Sequence, residues 1–337
     1  MKIFHTHNNG GLAVSTLIRF PRIIMACGIF AGSIAAASAG FPDKPIRFIN
    51  PYAAGSATDL VVRAIAPRLS RELGQSVVVE NKAGAGGLIG MEQVARSAPD
   101  GYTIGLGGIS TNAIAPHLYP KMPFDARKDF SPVALLGAST GILAVRNDSP
   151  ARSVEELVDL AKRHPGMTYG SPGVGTSPHL AGAMFDAMAD LKMTHIGYRG
   201  GAPAITDLLG GHIDLMFNHL MPTLPLLKSG ELRAIAVTNR VRSPLIPDVP
   251  TVSESAFHDF VVEPWFAVYG PAGMPENVVA ALNAAFNAAL ADEEVKARLV
   301  ESGFVPQSAS AAGLGELTES EYRKYRSVVD DAQIRID

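Results

Sequence analysis

IRFINPYAAGSATDLVVRAIAPRLSRELGQSVVVE, residues 46–80, decides the fold. It opens on a short apolar run, passes through a loop of small residues, becomes periodic in the manner of an amphipathic helix, and closes on a β-branched run. Thr58 is placed to cap the helix, with Asp59 in its first turn, while Leu60, Ala64 and Leu73 fall on its buried side. Pro67 predicts a kink and Gly74 a stop. A strand, helix and strand in this order make a βαβ unit. Such units pair strands in parallel through right-handed crossovers, and their ligands sit at the carboxyl ends of the strands.

The pattern extends outward in both directions. GGLIGMEQVARSAPDG reads as a helix and YTIGLG as a third strand. After the apolar stretch PVALLGASTGILAV, a capping box Ser153-Val154-Glu155-Glu156 opens a helix that Pro165-Gly166 ends. The alternation then resumes with MTYGS as strand, SPHLAGAMFDAMADL as helix, MTHIGY as strand, APAITDLLGG as helix, HIDLMFN as strand, TLPLLKSG as a short helix and LRAIAVTN as strand. VVEPWFAVYGPAGMP breaks the alternation. Ala-rich helices from Pro275 to Gly303 and from about Ser310 to Asp330 close the chain and should pack back on its first part. The expected architecture is α/β with two lobes, each a mostly parallel sheet flanked by helices. Lobe 1 spans residues 40–139 plus 264–337 and lobe 2 spans 140–263. The chain crosses between them near Gly137 to Gly141 and near Glu263 to Pro264, the geometry of a hinge.

Residues 1–39 read differently. Arg19 and Arg22 precede the apolar run IIMACGIFAGSIAAA and then Ala37-Ser38-Ala39, with no acidic residue throughout. That is the order of a secretory signal peptide, cut after Ala39, and it places the rest of the chain in the periplasm. Cys27 lies too early in the apolar run to anchor a lipid, so the mature chain holds no cysteine and neither a disulfide framework nor a Cys-ligated zinc. Losing Lys2, Arg19 and Arg22 takes the net charge from −3 to about −6, which argues against nucleic acid as a partner.

Three loops between strand and helix carry the candidate chemistry. In the first, Tyr52, Ala53, Ala54, Gly55, Ser56, Thr58 and Asp59 form a small flexible mouth at a helix start, suited to an anion because first-turn N–H groups are free to meet it. The second runs GSPGVGTSPH, residues 170–179, with Ser177 read as the N-cap and Pro178 at the first helical position. Its glycines, Gly175 among them, expose amides, and Ser171, Thr176 and His179 add side-chain hydrogen bonds. In the third, Tyr198-Arg199-Gly200-Gly201, Arg199 is a fixed cation whose fork matches a carboxylate, a surface ion pair being its plain alternative. Ser110, Thr111 and Asn112 after the third strand, and Asn218 with Met221 after HIDLMF, complete a ring of strand-end loops.

Enzyme motifs do not appear. GAGGLIG from Gly84 fails the dinucleotide fingerprint at Ile89, and no GxxxxGK[ST], GxSxG or HExxH run occurs. No cofactor, metal centre or catalytic residue is expected. The rival readings are a hydrolase or lyase using His179 or Asp59 on the same fold, and an accessory that presents its ligand to a membrane sensor.

PYAAGSATDLVVR, VVVENKAGAGGLIG, APDGYTIGLG, DFSPVALLG, YGSPGVGTSPHLAG, YRGGAPAITDLLGGHIDLMF and GELRAIAVTN, seven strings in order across Phe41 to Asp337, together resemble the solute receptors of tripartite tricarboxylate transporters, the Bug family. The resemblance implies a periplasmic, monomeric Venus-flytrap of the second binding-protein type, without catalysis. It would close on a small carboxylate and deliver it to the membrane permease subunits. It also implies that Tyr52 to Asp59 and Ser171 to His179 grip one ligand carboxylate from opposite lobes, partly through ordered water. The chain departs from the family pattern at Ser56-Ala57, where Gly-Gly or Gly-Ser is common, at Gly197, where Pro is common, and at Asn218, where Asp is frequent. Asn at that place removes a partner for an amino group and favours a plain carboxylate over an amino acid.

Overall fold

The computed structural model describes residues 40–331 and Ile334, so the expected signal peptide lies outside the described residues. The first half of the molecule holds β1 (Ile46–Asn50), α1 (Ala57–Leu73), β2 (Val77–Asn81), α2 (Leu88–Ala95), β3 (Thr103–Gly108), α3 (Ala115–Leu118) and β4 (Phe130–Ser139). The chain then crosses to β5 (Gly141–Arg146), α4 (Val154–Arg163), β6 (Thr168–Ser171), α5 (Ser177–Met188), β7 (Thr194–Gly197), α6 (Gly201–Leu209), β8 (Leu215–His219), α7 (Leu220–Lys228), β9 (Leu232–Val237) and α8 (Val252–Ser255). It returns through β10 (Trp265–Pro271), α9 (Glu276–Ala291), α10 (Glu293–Glu301), β11 (Phe304–Pro306) and α11 (Ala311–Asp331).

These strands form a six-stranded sheet of order β11-β4-β10-β3-β1-β2 and a five-stranded sheet of order β7-β6-β8-β5-β9. Both are mixed, where mostly parallel sheets were expected. β1 pairs in parallel with β2 and β3, and β6 with β7 and β8, as βα units require. β5 runs antiparallel to β8 and β9, and β10 antiparallel to β3 and β4. The physical reason is connectivity: each of these strands is the first after a crossing, enters its sheet with no helix to reverse it, and so runs against its neighbours. The consequence for function is that the starts of β5 and β10 lie at the same end as the carboxyl ends of β1, β3, β6 and β8.

The crossings themselves are tied together. Ser139 N donates to Pro264 O at 2.8 Å, Gly141 N to Asn239 Oδ1 at 2.8 Å, Asn239 Nδ2 to Ser139 O at 3.2 Å, and Leu220 N to Thr140 O at 2.8 Å.

Local details depart from the sequence expectations in instructive ways. Ser56, not Thr58, caps α1: its backbone is extended and its hydroxyl accepts from Asp59 N, while the Thr58 hydroxyl pairs with Ser56 Oγ at 2.9 Å. Starting the helix there puts Val61, Ile65 and Leu69 on the buried stripe at helical spacing and leaves Leu60 37% exposed. α1 continues as one element through Pro67, which lies on the exposed face. Thr176, not Ser177, caps α5 by accepting from His179 N. The Ser153 box is half formed, because Glu156 N donates to Ser153 but the Glu156 carboxylate takes Arg152 N instead. A complete box stands at Thr251 and Glu254.

The first sheet buries Phe48, Leu106 and Val268 against Ile65, Leu69, Leu282 and Phe286 of α1 and α9, with Phe48 and Phe286 edge-on at 5.8 Å. Each such aliphatic or aromatic side chain contributes about 1.5–3 kcal/mol on burial. The C-terminal helices pack back on this first half, as expected.

Candidate functional site

Where the strand ends of the two sheets face each other lies a partly open cavity, about 330 Å³ with the open solvent at its mouth included. Tyr52, Ser56, Ala57, Thr58, Ser110 and Phe266 line it from the six-stranded half, and Pro172, Thr176, Gly201, Asn218 and His219 from the five-stranded half. None of these side chains is Asp, Glu, Lys or Arg. What the cavity offers instead is the starts of α1, at Ala57, and of α6, at Gly201 with no side chain capping it, whereas at α5 Ser177 N is taken by Ser110 Oγ, Pro178 has no N–H and His179 N is taken by the Thr176 cap. First-turn amides and the positive end of the helix dipole favour an anion there, and a low-dielectric lining strengthens each contact. A Cβ on Gly201 would stand 2.6 Å from Asn218 Oδ1, so glycine at that position lets α6 approach β8.

The side chains of the lining are fixed by the protein. Tyr52 donates to Gly86 O at 3.1 Å, and burial pushes its phenol pKa up, so it remains a neutral donor. Thr176 Oγ1 donates to Gly173 O at 2.6 Å. Ser110 Oγ accepts from Ser177 N at 3.0 Å, a direct bond between the two halves. Asn218 Nδ2 donates to Gly201 O at 3.2 Å and its Oδ1 accepts from His219 N at 2.8 Å.

Tyr52, Ser56, Thr58, Ser110, Thr176 and Asn218 of the expected site residues therefore line the cavity, and the others do not. Asp59 is buried behind the first loop, where its carboxylate takes hydrogen bonds from Gly55 N at 3.0 Å, Arg63 Nε at 3.0 Å and Asn81 Nδ2 at 2.8 Å. Burial alone would raise its pKa, but these donors outweigh it and hold the group below the usual carboxylate range. It organises the loop. Ala53, Ala54 and Gly55 lie outside the lining, with Ala53 N donating across the gap to Arg199 O at 3.3 Å. Arg199 itself points to solvent. Tyr198 donates to Asp207 at 2.7 Å. Thr111 Oγ1 and Gly108 N both donate to Asn112 Oδ1, which shapes the π-helical turn over Ile109–Ile114 that carries Ser110.

The second loop is also turned inward. Gly175 N donates to His179 Nδ1 at 3.2 Å, which commits those two atoms, and the His179 ring packs on His195 at 4.2 Å. His195 Nε2 meets Ser171 Oγ at 2.7 Å. Burial lowers the pKa of His179 to about 4, and burial with the His179 charge lowers that of His195 to about 3, so both are neutral near pH 7. Ser177 lies behind the cap.

Ala57, Pro172, Gly201, His219 and Phe266 join the lining without having been singled out for it. Pro172 and Gly201 stood inside strings already quoted. His219 follows Asn218 directly, and Phe266 lies in the segment that broke the βα alternation. Among the described residues no group of three His, Cys, Asp or Glu is arranged to hold a metal ion, and no helix is long and apolar enough to cross a membrane.

Comparison with known proteins supplies the family. The sequence model of the tripartite tricarboxylate transporter family receptor matches residues 61–334. BugT of Bordetella pertussis is 33% identical over 321 residues, covering 94% of this chain and 98% of the relative. An R. palustris protein solved with adipate superposes with a TM-score of 0.84 at 32% identity over 88% of this chain and 100% of its own. MatC from Rhodopseudomonas palustris with bound malate gives 0.83 at 32% identity, over 86% and 100%. The seven motifs, the paired mixed sheets and these relatives agree: the chain belongs to the tripartite tricarboxylate transporter family of receptors.

Proposed function

We propose that this protein is exported by a cleaved N-terminal signal peptide and acts in the periplasm as a receptor for a small carboxylate, which it delivers to the permease subunits of a tripartite transporter. The observation that carries the reading is the convergence of the α1 and α6 starts, one from each half, on a partly open cavity without charged side chains. Such a lining suits an anion that brings its own charge. His179 and Asp59, on which the enzyme reading relies, lie outside the lining, with Asp59 held by Gly55 N and His179 Nδ1 accepting from Gly175 N.

The lobes that close on the ligand are residues 40–139 with 264–337, and 140–263, and they turn about the two crossings, which are joined by Ser139 N donating to Pro264 O, with Asn239 bridging Ser139 and Gly141. Closure follows ligand because donors at the α1 start and at the α6 start reach one carboxylate together only in the closed form, which shifts the population toward it. Micromolar affinity corresponds to about 8 kcal/mol. Hydrogen bonds to a charged group contribute about 1.5–3 kcal/mol each, so three or four such donors supply most of it without an arginine.

The test is a thermal-shift screen of mature, ligand-stripped protein against a carboxylate panel that includes malate and adipate, followed by recovery and mass analysis of the acid. A ligand at a hundred times its Kd raises stability by about 2.7 kcal/mol. A shift with one acid, recovered unchanged, supports the receptor. No shift with any acid overturns the carboxylate reading, and a chemically altered acid overturns the receptor in favour of an enzyme.

A further inference from the structure

We propose that His219 sets the selectivity of this receptor by reading a second oxygen-bearing group, hydroxyl or carboxyl, on an acid whose first carboxylate sits at the helix starts. The inference rests on the receptor reading above and names the residue that discriminates among acids.

His219 is the last residue of β8 and is held rigidly. It pairs opposite Gly141, its backbone N–H donates to Asn218 Oδ1 at 2.8 Å, and its carbonyl accepts from Thr223 Oγ1 at 3.0 Å. The ring lies edge-on to Phe266 of the opposite half, with centroids 5.4 Å apart, so it stands where the two halves meet at the cavity.

Every other polar side chain of the lining has a protein partner: Tyr52 with Gly86, Ser56 with Thr58, Ser110 with Ser177, Thr176 with Gly173 and Asn218 with Gly201. The remaining shielded histidines among the described residues are partnered too, His117 by Tyr322 O, His179 by Gly175 N and His195 by Ser171. His219 differs. It is 8% exposed, and its Nδ1 is buried with no hydrogen-bond partner. Burial also lowers its pKa to about 4, so the ring is neutral near pH 7 and carries one donor and one acceptor. Unpaired buried polar atoms are costly and uncommon in native proteins, and because His219 lines the cavity, a ligand group drawn against the ring as the halves close is the partner it takes.

Isothermal titration with acid pairs that differ by one oxygen-bearing group tests this: succinate against butyrate, adipate against hexanoate, malate against succinate. Wild type is expected to prefer the richer acid of the pair it accepts by about tenfold or more. His219→Phe keeps an aromatic ring against Phe266 but has no ring nitrogen. It should reduce that preference to about twofold or less while binding the poorer acid nearly as wild type does. His219→Gln, with a donor and an acceptor, should restore part of it. His219→Leu carries the same test where His219→Phe does not fold. Preference unchanged in His219→Phe or His219→Leu overturns the inference and leaves the receptor standing. Failure of the wild type to bind any of these acids overturns the receptor reading and the inference with it.

Discussion

His179 and His195 show how single residues fix the acid limit of this molecule. His179 is buried and His195 half-buried, both as neutral rings with pKa values lowered to about 4 and about 3, against about 6.5 in an unfolded chain. Above about pH 6.5 neither form takes up a proton and the stabilisation is complete. As pH falls below that, the unfolded chain binds protons that the folded one excludes. Stability is then lost at up to about 1.4 kcal/mol per pH unit for each histidine, until the folded values are reached. The loss falls within roughly pH 6.5 to 4, above the range where Asp59, whose pKa is lowered, begins to protonate. Thermal melts from pH 7 to 4.5 should therefore show a falling Tm, and His195→Gln should flatten the slope even if it lowers Tm at pH 7. An unchanged slope in that variant would assign the acid sensitivity elsewhere. The histidines were visible in the sequence, but their burial against each other was not, because His179 and His195 lie sixteen residues apart on different elements. The sequence expected a ligand contact from His179, and the fold adds that its Nδ1 accepts from Gly175 N.

Among the elements, α1 was read nearly complete from residues 46–80, since apolar periodicity and the stop at Gly74 depend on neighbours within a few positions. Its first residue was not. Ser56 and Thr58 are equivalent as caps in composition, and the choice between them depends on the extended backbone at Ser56, which the loop behind it imposes through Asp59 and Gly55. Ser56→Ala should cost about 1 kcal/mol, or about 2 to 4 °C in Tm. It should also weaken ligand binding, since the residue lines the cavity. Thr58→Ala, by contrast, should leave the cap intact. Chemical denaturation of both variants compares them directly, and equal losses would return the cap to Thr58. β10 was the least legible element: its run of aromatic residues reads as apolar but says nothing of direction, and its antiparallel place between β3 and β4 depends on the second crossing.

For the whole molecule, contacts between the two halves define the arrangement of the cleft. Ser177 N donates to Ser110 Oγ, Ala53 N to Arg199 O, and Tyr119 Oη to Val174 O at 3.0 Å. Gly86 packs so closely on Val174 O that a Cβ there would collide with it. The Ser110 and Ser177 hydroxyl oxygens stand 3.5 Å apart. Ser110→Cys with Ser177→Cys should accordingly form a disulfide across the cleft in a mature chain otherwise free of cysteine. The oxidised protein should exchange ligand far more slowly than the same protein after reduction. Stopped-flow release of a bound acid measures this, and equal rates in both states would show that ligand passes without the halves separating.

The sequence by itself determined the α/β class, the order of nearly every strand and helix, the family, and the two loops whose helix starts flank the cavity. All of these are written in local patterns: hydrophobic period, caps, turn residues and the spacing of quoted motifs. Only the tertiary structure decided which members of those loops reach the cavity, that Asp59, Ser171 and His179 are spent on holding the loops in shape, and that His219 and Phe266 meet from opposite halves. Those outcomes depend on contacts between elements distant in sequence, such as Ser110 with Ser177 and His219 with Phe266, and on competition between neighbouring groups for the same hydrogen bonds. Both are properties of the packed chain and leave no trace in local sequence.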